Sequence, residues 1–165
     1  MLTWIWPSKR NRPDRQDGRK AGSAGASGAA GAMKFEIDFA RSPDYVYVRT
    51  EGEASVSGFK HLLHTLTEAP EWKTGAKQLV DHRLLVPHKL GLDDVDLIKE
   101  VVEKHGAKLG RGRCAFVVSD QFGFGLMRMY GGLGGDNLHN NSSIFFTLEE
   151  ADEWLKTEDD LSQHS

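Results

Sequence analysis

The chain has 165 residues, with 24 acidic against 21 basic side chains and a formal charge of −3. That length holds one domain plus an extension, enough to bury a core without disulfides or a structural metal, and a single cysteine, Cys114, excludes an intrachain disulfide. Residues 1–33 carry six basic and two acidic side chains, or +4, which leaves −7 on residues 34–165; so acidic a body argues against nucleic-acid binding, where neutralising phosphate supplies much of the affinity.

Residues 1–7, Met-Leu-Thr-Trp-Ile-Trp-Pro, are apolar but far short of the ~20 residues that span a bilayer. Their charges follow rather than precede them, the wrong order for a secretory leader. The next residues are basic and end in a Gly/Ala/Ser tract over 21–32, which has no large side chain to bury and reads as a flexible linker. Met33 follows it directly. Either the segment before Met33 is a mis-assigned start, or Trp4 and Trp6 beside the basic cluster make a weak contact with an anionic membrane.

From Met33 the pattern becomes regular. Phe35, Ile37 and Phe39 alternate with Glu36 and Asp38, a half-buried strand. Ser42-Pro43-Asp44 turns the chain into a second strand, Tyr45 to Thr50, and the short spacing suggests a hairpin. Ser55 or Ser57 caps a helix whose stripe is Val56, Phe59, Leu62, Leu63 and Leu66. Gln78-Leu79-Val80-Asp81 is a short buried strand. Asp93-Asp94 opens a helix with Val95, Ile98, Val101 and Val102 inward, and Gly106 is expected to stop it. Arg113 to Ser119 is a strand holding Cys114 as a buried, inert thiol. Phe122 to Leu133 is a helix, and Ser143 to Phe146 is the last strand. A capping box at Thr147–Glu150 begins a final helix that buries Ala151, Trp154 and Leu155. The order β-β-α-β-α-β-α-β-α implies a mixed, mostly parallel sheet of about five strands covered by helices. The boundaries read as an extension over 1–33, a domain over 34–157 and an acidic polar tail over 158–165.

Candidate binding residues cluster at the C-terminal ends of the middle strands, where open α/β sheets gather ligands. Asp81, His82 and Arg83 follow the third strand; Asp120 and Gln121 follow the fourth. Together they form a polar rim for a ligand or partner, or Asp81 only caps backbone amides and pairs with Arg83 or Arg128. Phe122, Phe124, Met127 and Met129 lie close by, with Arg128 among them. Gly123-x-Gly125-x-x-Arg128 has the placement of a phosphate loop but lacks the third glycine and any Gly-Lys-Ser/Thr. His61 and His64 share a helix face without a second ligand cluster, and no Gly-x-Ser-x-Gly elbow exposes a nucleophile. No catalytic residue, metal or cofactor is expected.

The strings Leu79-Val80-Asp81-His82-Arg83, Phe122 to Tyr130, and Ile144-Phe145-Phe146-Thr147 leading to Glu150–Leu155 resemble the SpoIIAA-like family, relatives of the STAS domain, over about residues 34–156. The resemblance implies a compact STAS-like fold with distant kinship to the CRAL-TRIO lipid carriers, and a bacterial, cytoplasmic regulatory protein. STAS antagonists that switch by phosphorylation carry a Ser or Thr just after the third strand. Here Asp81 to Pro87 holds neither. Two readings stand: a protein-binding regulatory module without that switch, or a carrier or sensor of a small apolar or anionic molecule.

Overall fold

The computed structural model describes residues 32–133 and 141–163. Residues 1–31, with Trp4 and Trp6, lie outside the described residues, as do residues 134–140 and the side chains of Met129 and Tyr130.

Five strands form one sheet in chain order: β1 (Lys34–Asp38), β2 (Val46–Glu53), β3 (Gln78–Val86), β4 (Cys114–Val117) and β5 (Ser142–Phe145). β1 and β2 pair antiparallel as the expected hairpin, and every later pair is parallel. The helices are α1 (Val56–Glu68), α2 (Leu92–Lys104), the single turn α3 (Gly106–Leu109), α4 (Gln121–Leu133) and α5 (Leu148–Gln163). Because each parallel strand lies beside the one before it, right-handed crossovers carry α1, α2 and α4 to the same face. α5 follows the last strand and closes the other.

The two faces have separate cores. Tyr45, Tyr47, Leu79, Ala115 and Val117 meet Leu148, Ala151 and Leu155 of α5. On the opposite face Val46, Val48 and Val80 meet Leu62 and Leu66 of α1, with Phe35, Phe59, Cys114 and Phe116 partly buried around them. Alternation along β2, β3 and β4 sends neighbouring residues to these two cores. Ser55 caps α1, accepting from the Gly58 amide at 3.0 Å, and Thr147 caps α5, accepting from the Glu150 amide at 3.2 Å.

Three expectations shift. Gly106 does not end the helical run: His105 breaks it, its Nδ1 2.8 Å from the Val101 carbonyl, and one more turn continues to Leu109. Gly110, at φ +76°, makes the stop. β4 is shorter than the apolar run Arg113–Ser119. β3 is longer, running five residues past Asp81.

The extension of β3 begins with a bulge. Arg49 pairs with Asp81 and Glu51 with Leu84, so Thr50 faces two residues, His82 and Arg83. β4 stops at the level of Asp81, where Val117 is its last partner. Beyond that point β3 has β2 on one side and no strand on the other among the described residues.

Candidate functional site

The eight residues singled out from the sequence fall into three groups. The sheet itself divides the run Asp81-His82-Arg83, because consecutive strand residues face opposite sides.

Asp81 turns toward the α5 face and is 4 % exposed. Tyr47 donates its hydroxyl to Asp81 Oδ2 at 2.7 Å. Arg83 donates from Nε to Oδ1 at 2.9 Å, from Nη2 to Oδ2 at 2.8 Å, and from its backbone amide to Oδ1 at 3.1 Å. Burial alone would raise the Asp81 pKa, but the hydrogen bonds from Arg83 and Tyr47 outweigh it and hold the carboxyl below its ordinary value. The same burial, with the Asp81 charge beside it, pushes the Tyr47 phenol far up. This carboxylate is saturated. Its geometry matches the structural alternative, an internal pair with Arg83, and leaves it no free valence for a ligand.

His82 points to the other face and is 8 % exposed. Its Nδ1 lies 2.7 Å from Thr50 Oγ1, and Thr50, fully buried, also reaches the Asp81 carbonyl at 3.3 Å. The ring stacks on Phe116 at 5.8 Å and meets Phe59 edge-on at 5.9 Å. Burial pushes its pKa down to about 4, so the imidazole is neutral at pH 7.

The third group belongs to α4. The Asp120 carboxylate accepts from the Gly123 amide at 2.8 Å and so caps the helix. A negative charge already holds the N-terminus where a phosphate loop would place its anion, which removes that reading of Gly123 and Gly125. Of the two glycines, Gly123 sits close to the sheet: a Cβ there would lie 3.3 Å from Val118 Cβ, whereas one at Gly125 would meet nothing within 4 Å. Gln121 is exposed, and Phe122 is 48 % exposed with its ring 5.2 Å from that of His88. Phe124 stacks on Phe146 at 5.4 Å, and the exposed Arg128 lies over its ring at 6.0 Å.

Between the sheet and α1, α2 and α4 lies a chamber of about 1360 Å³. It runs the length of the strands, from Gln78, Gly110 and Ser142 at their N-terminal ends to Val86, His88 and Asp120 at their C-terminal ends. It is lined chiefly by His82 and the partly buried Phe59, Cys114, Phe116, Phe124, Met127 and Ile144, while Val48, Val80, Leu62 and Leu66 border it where they pack on one another. Of the eight candidates, His82, Arg83, Asp120, Phe124 and Arg128 border it, and Asp81, Gln121 and Phe122 do not. Arg83 borders it with its guanidinium committed to Asp81. Cys114 faces the chamber, and burial pushes its thiol up to about 12, an unreactive state.

Sequence reasoning missed Thr50 and the floor residues as a site. Thr50 looked like the end of a strand, and no local signal marks a bulge two elements away. Among the described residues no three His, Cys, Asp or Glu side chains gather as a metal site, and His61 and His64 stay exposed. No described helix is long and apolar enough to cross a membrane.

No protein-family model and no curated protein sequence matches the chain. Solved structures do. An uncharacterized protein of the DUF3478 family with a SpoIIAA-like fold, from Shewanella loihica PV-4, superposes with a TM-score of 0.54 at 18 % identity, over 77 % of this chain and 98 % of that one. An anti-sigma factor antagonist from Mycobacterium paratuberculosis superposes with a TM-score of 0.50 at 14 % identity, over 78 % and 97 %. The five-stranded sheet with one antiparallel pair, its sequential order and these superpositions together give the chain a SpoIIAA-like fold.

Proposed function

We propose that the chain is a non-catalytic SpoIIAA-like binding domain whose chamber takes a small, largely apolar molecule, so that it acts as a carrier or sensor. The chamber itself carries this reading. A cleft of about 1360 Å³ that opens to solvent has room for a small molecule, whose sites ordinarily measure roughly 300–1,000 Å³. Its walls are mostly aliphatic and aromatic, with polar and charged side chains such as Arg83, Glu103, Arg111, Asp120 and Arg128 along its borders. Three of the groups that could serve catalysis are spent: Asp81 on Arg83 and Tyr47, Asp120 on the Gly123 amide, Cys114 as a neutral thiol.

Titrating the protein with a neutral naphthylamine dye, whose emission rises in apolar surroundings, tests this directly. One saturable site per chain, competed by hexylbenzene, is expected. Emission that rises without saturation, or no rise at all, overturns it.

A second reading has its own support in the likeness to an anti-sigma factor antagonist. It is a regulatory role through a protein partner. No Ser, Thr or Tyr lies between Asp81 and Ile98, the stretch that links β3 to α2, so such a role would run without phosphorylation there. Cross-linking in the parent cell followed by identification of adducts tests it; adducts that do not reach stoichiometric yield with any protein count against it.

A further inference from the structure

We infer that His82, held in place by Thr50, is a polar anchor on the chamber's floor, and that the chamber's ligand carries an uncharged hydroxyl which hydrogen-bonds His82 Nε2. This rests on the proposed ligand role of the chamber and names the chemistry of the ligand.

Three observations support it. The His82 ring is more than nine-tenths buried and borders the chamber. Nδ1 is taken by Thr50 at 2.7 Å, and Nε2 has no hydrogen-bond partner among the described residues. Nε2 is not sealed in the core, so a group entering the chamber can reach it and pair with it. The ring is also held: Phe116 stacks on it, Phe59 meets it at a right angle, and the bulge at His82–Arg83 sets Thr50 beside Nδ1. Bulges commonly re-aim a side chain beside a site.

The chemistry of the partner follows from the state of the ring. Its pKa of about 4 leaves it neutral, without a charge to balance a carboxylate or phosphate. Thr50 can accept from Nδ1–H while donating to the Asp81 carbonyl, which makes Nε2 an acceptor; or it can donate to Nδ1, which makes Nε2 a donor. A hydroxyl satisfies either arrangement. An anion satisfies one and pays its own desolvation. Anions would instead be drawn to Arg128 at the chamber wall.

Displacement of the neutral dye by para-hexylphenol, para-hexylbenzoate and hexylbenzene at pH 7 separates these cases. The phenol is expected to bind about tenfold more tightly than hexylbenzene, the worth of one buried hydrogen bond, and more tightly than the benzoate. In His82→Phe the preference for phenol over hexylbenzene should vanish while hexylbenzene still displaces the dye. Should that variant not fold, the ¹⁵N spectrum of wild-type imidazole decides: Nε2 should shift on addition of the phenol and stay in place with hexylbenzene. Equal binding of phenol and hexylbenzene, unaffected by His82→Phe, overturns this inference and leaves the apolar site standing. Tightest binding by the benzoate, lost in Arg128→Gln, also overturns it. If none of the three compounds displaces the dye, the ligand reading of the chamber falls along with it.

Discussion

On the α5 face of the sheet, Tyr45, Tyr47, Leu79, Ala115, Val117 and the α5 residues Leu148, Ala151 and Leu155 are all 5 % exposed or less. On the opposite face Val46, Val48, Val80, Leu62 and Leu66 are just as buried, but Cys114, Phe116 and Phe59 around them are only partly so and border an open chamber. The strands are the same, and in β4 adjacent residues serve the two sides. The difference lies in what covers them. α5 follows β5 and lies flat on the sheet through small and aliphatic residues. α2 rests chiefly on α1, α3 and α4, and α4 meets the sheet at β5. One face is closed by its helix, and the other keeps an open cleft beside its packed centre.

The largest expected contrast is between Leu155→Ala and Phe124→Ala. Leu155 is 1 % exposed on the packed face, so its truncation should cost about 3 kcal/mol in denaturant unfolding. Phe124, on the chamber wall, should cost less than about 1 kcal/mol. Equal losses would show that both faces are packed alike.

Acid sharpens the comparison next. The unfolded His82 takes up a proton as pH falls through its ordinary value near 6.5, whereas in the folded chain it does so only near pH 4. Stability should therefore be lost progressively from about pH 6.5 down to about pH 4, by on the order of 3 kcal/mol. Asp81 on the other face behaves differently. Its carboxyl is held low, so its contribution is intact through that window and is lost only below the ordinary carboxylate range. Unfolding followed against pH should show a first loss that disappears in His82→Phe and a second, at lower pH, that remains.

Smaller still is the contrast between neighbours in β4. Ala115→Leu overfills the closed face and should cost about 2 kcal/mol. Cys114→Leu projects into the chamber and should change stability by less than about 1 kcal/mol. Thermal unfolding of the two variants side by side checks this.

Most of the fold was legible in the sequence because each element carried its own period. Alternating Phe35, Ile37 and Phe39 gave β1, the stripe Leu62, Leu63, Leu66 gave α1, and Thr147–Glu150 marked the start of α5. The site was legible only in part. Asp81, His82, Arg83 and Asp120 do lie at one end of the sheet, since Asp81 pairs with Val117 and Asp120 follows it by three residues. Their separation by the sheet was hidden, because reading Asp81 as the end of β3 concealed the alternation that continues past it. The bulge depends on how β2 and β3 register, a long-range property without a local mark. The chamber depends on how far α2 and α4 stand from the sheet, which periodicity does not encode.

The central claim is that the hollow face, and not the packed one, receives a ligand. Methyl-labelled protein titrated with hexylbenzene and followed by two-dimensional NMR tests this most directly. Resonances of Val80, Ile98 and Ile144 should shift together to saturation while those of Val117 and Leu155 hold still. Shifts spread evenly over both sets, or confined to Val117 and Leu155, would contradict it.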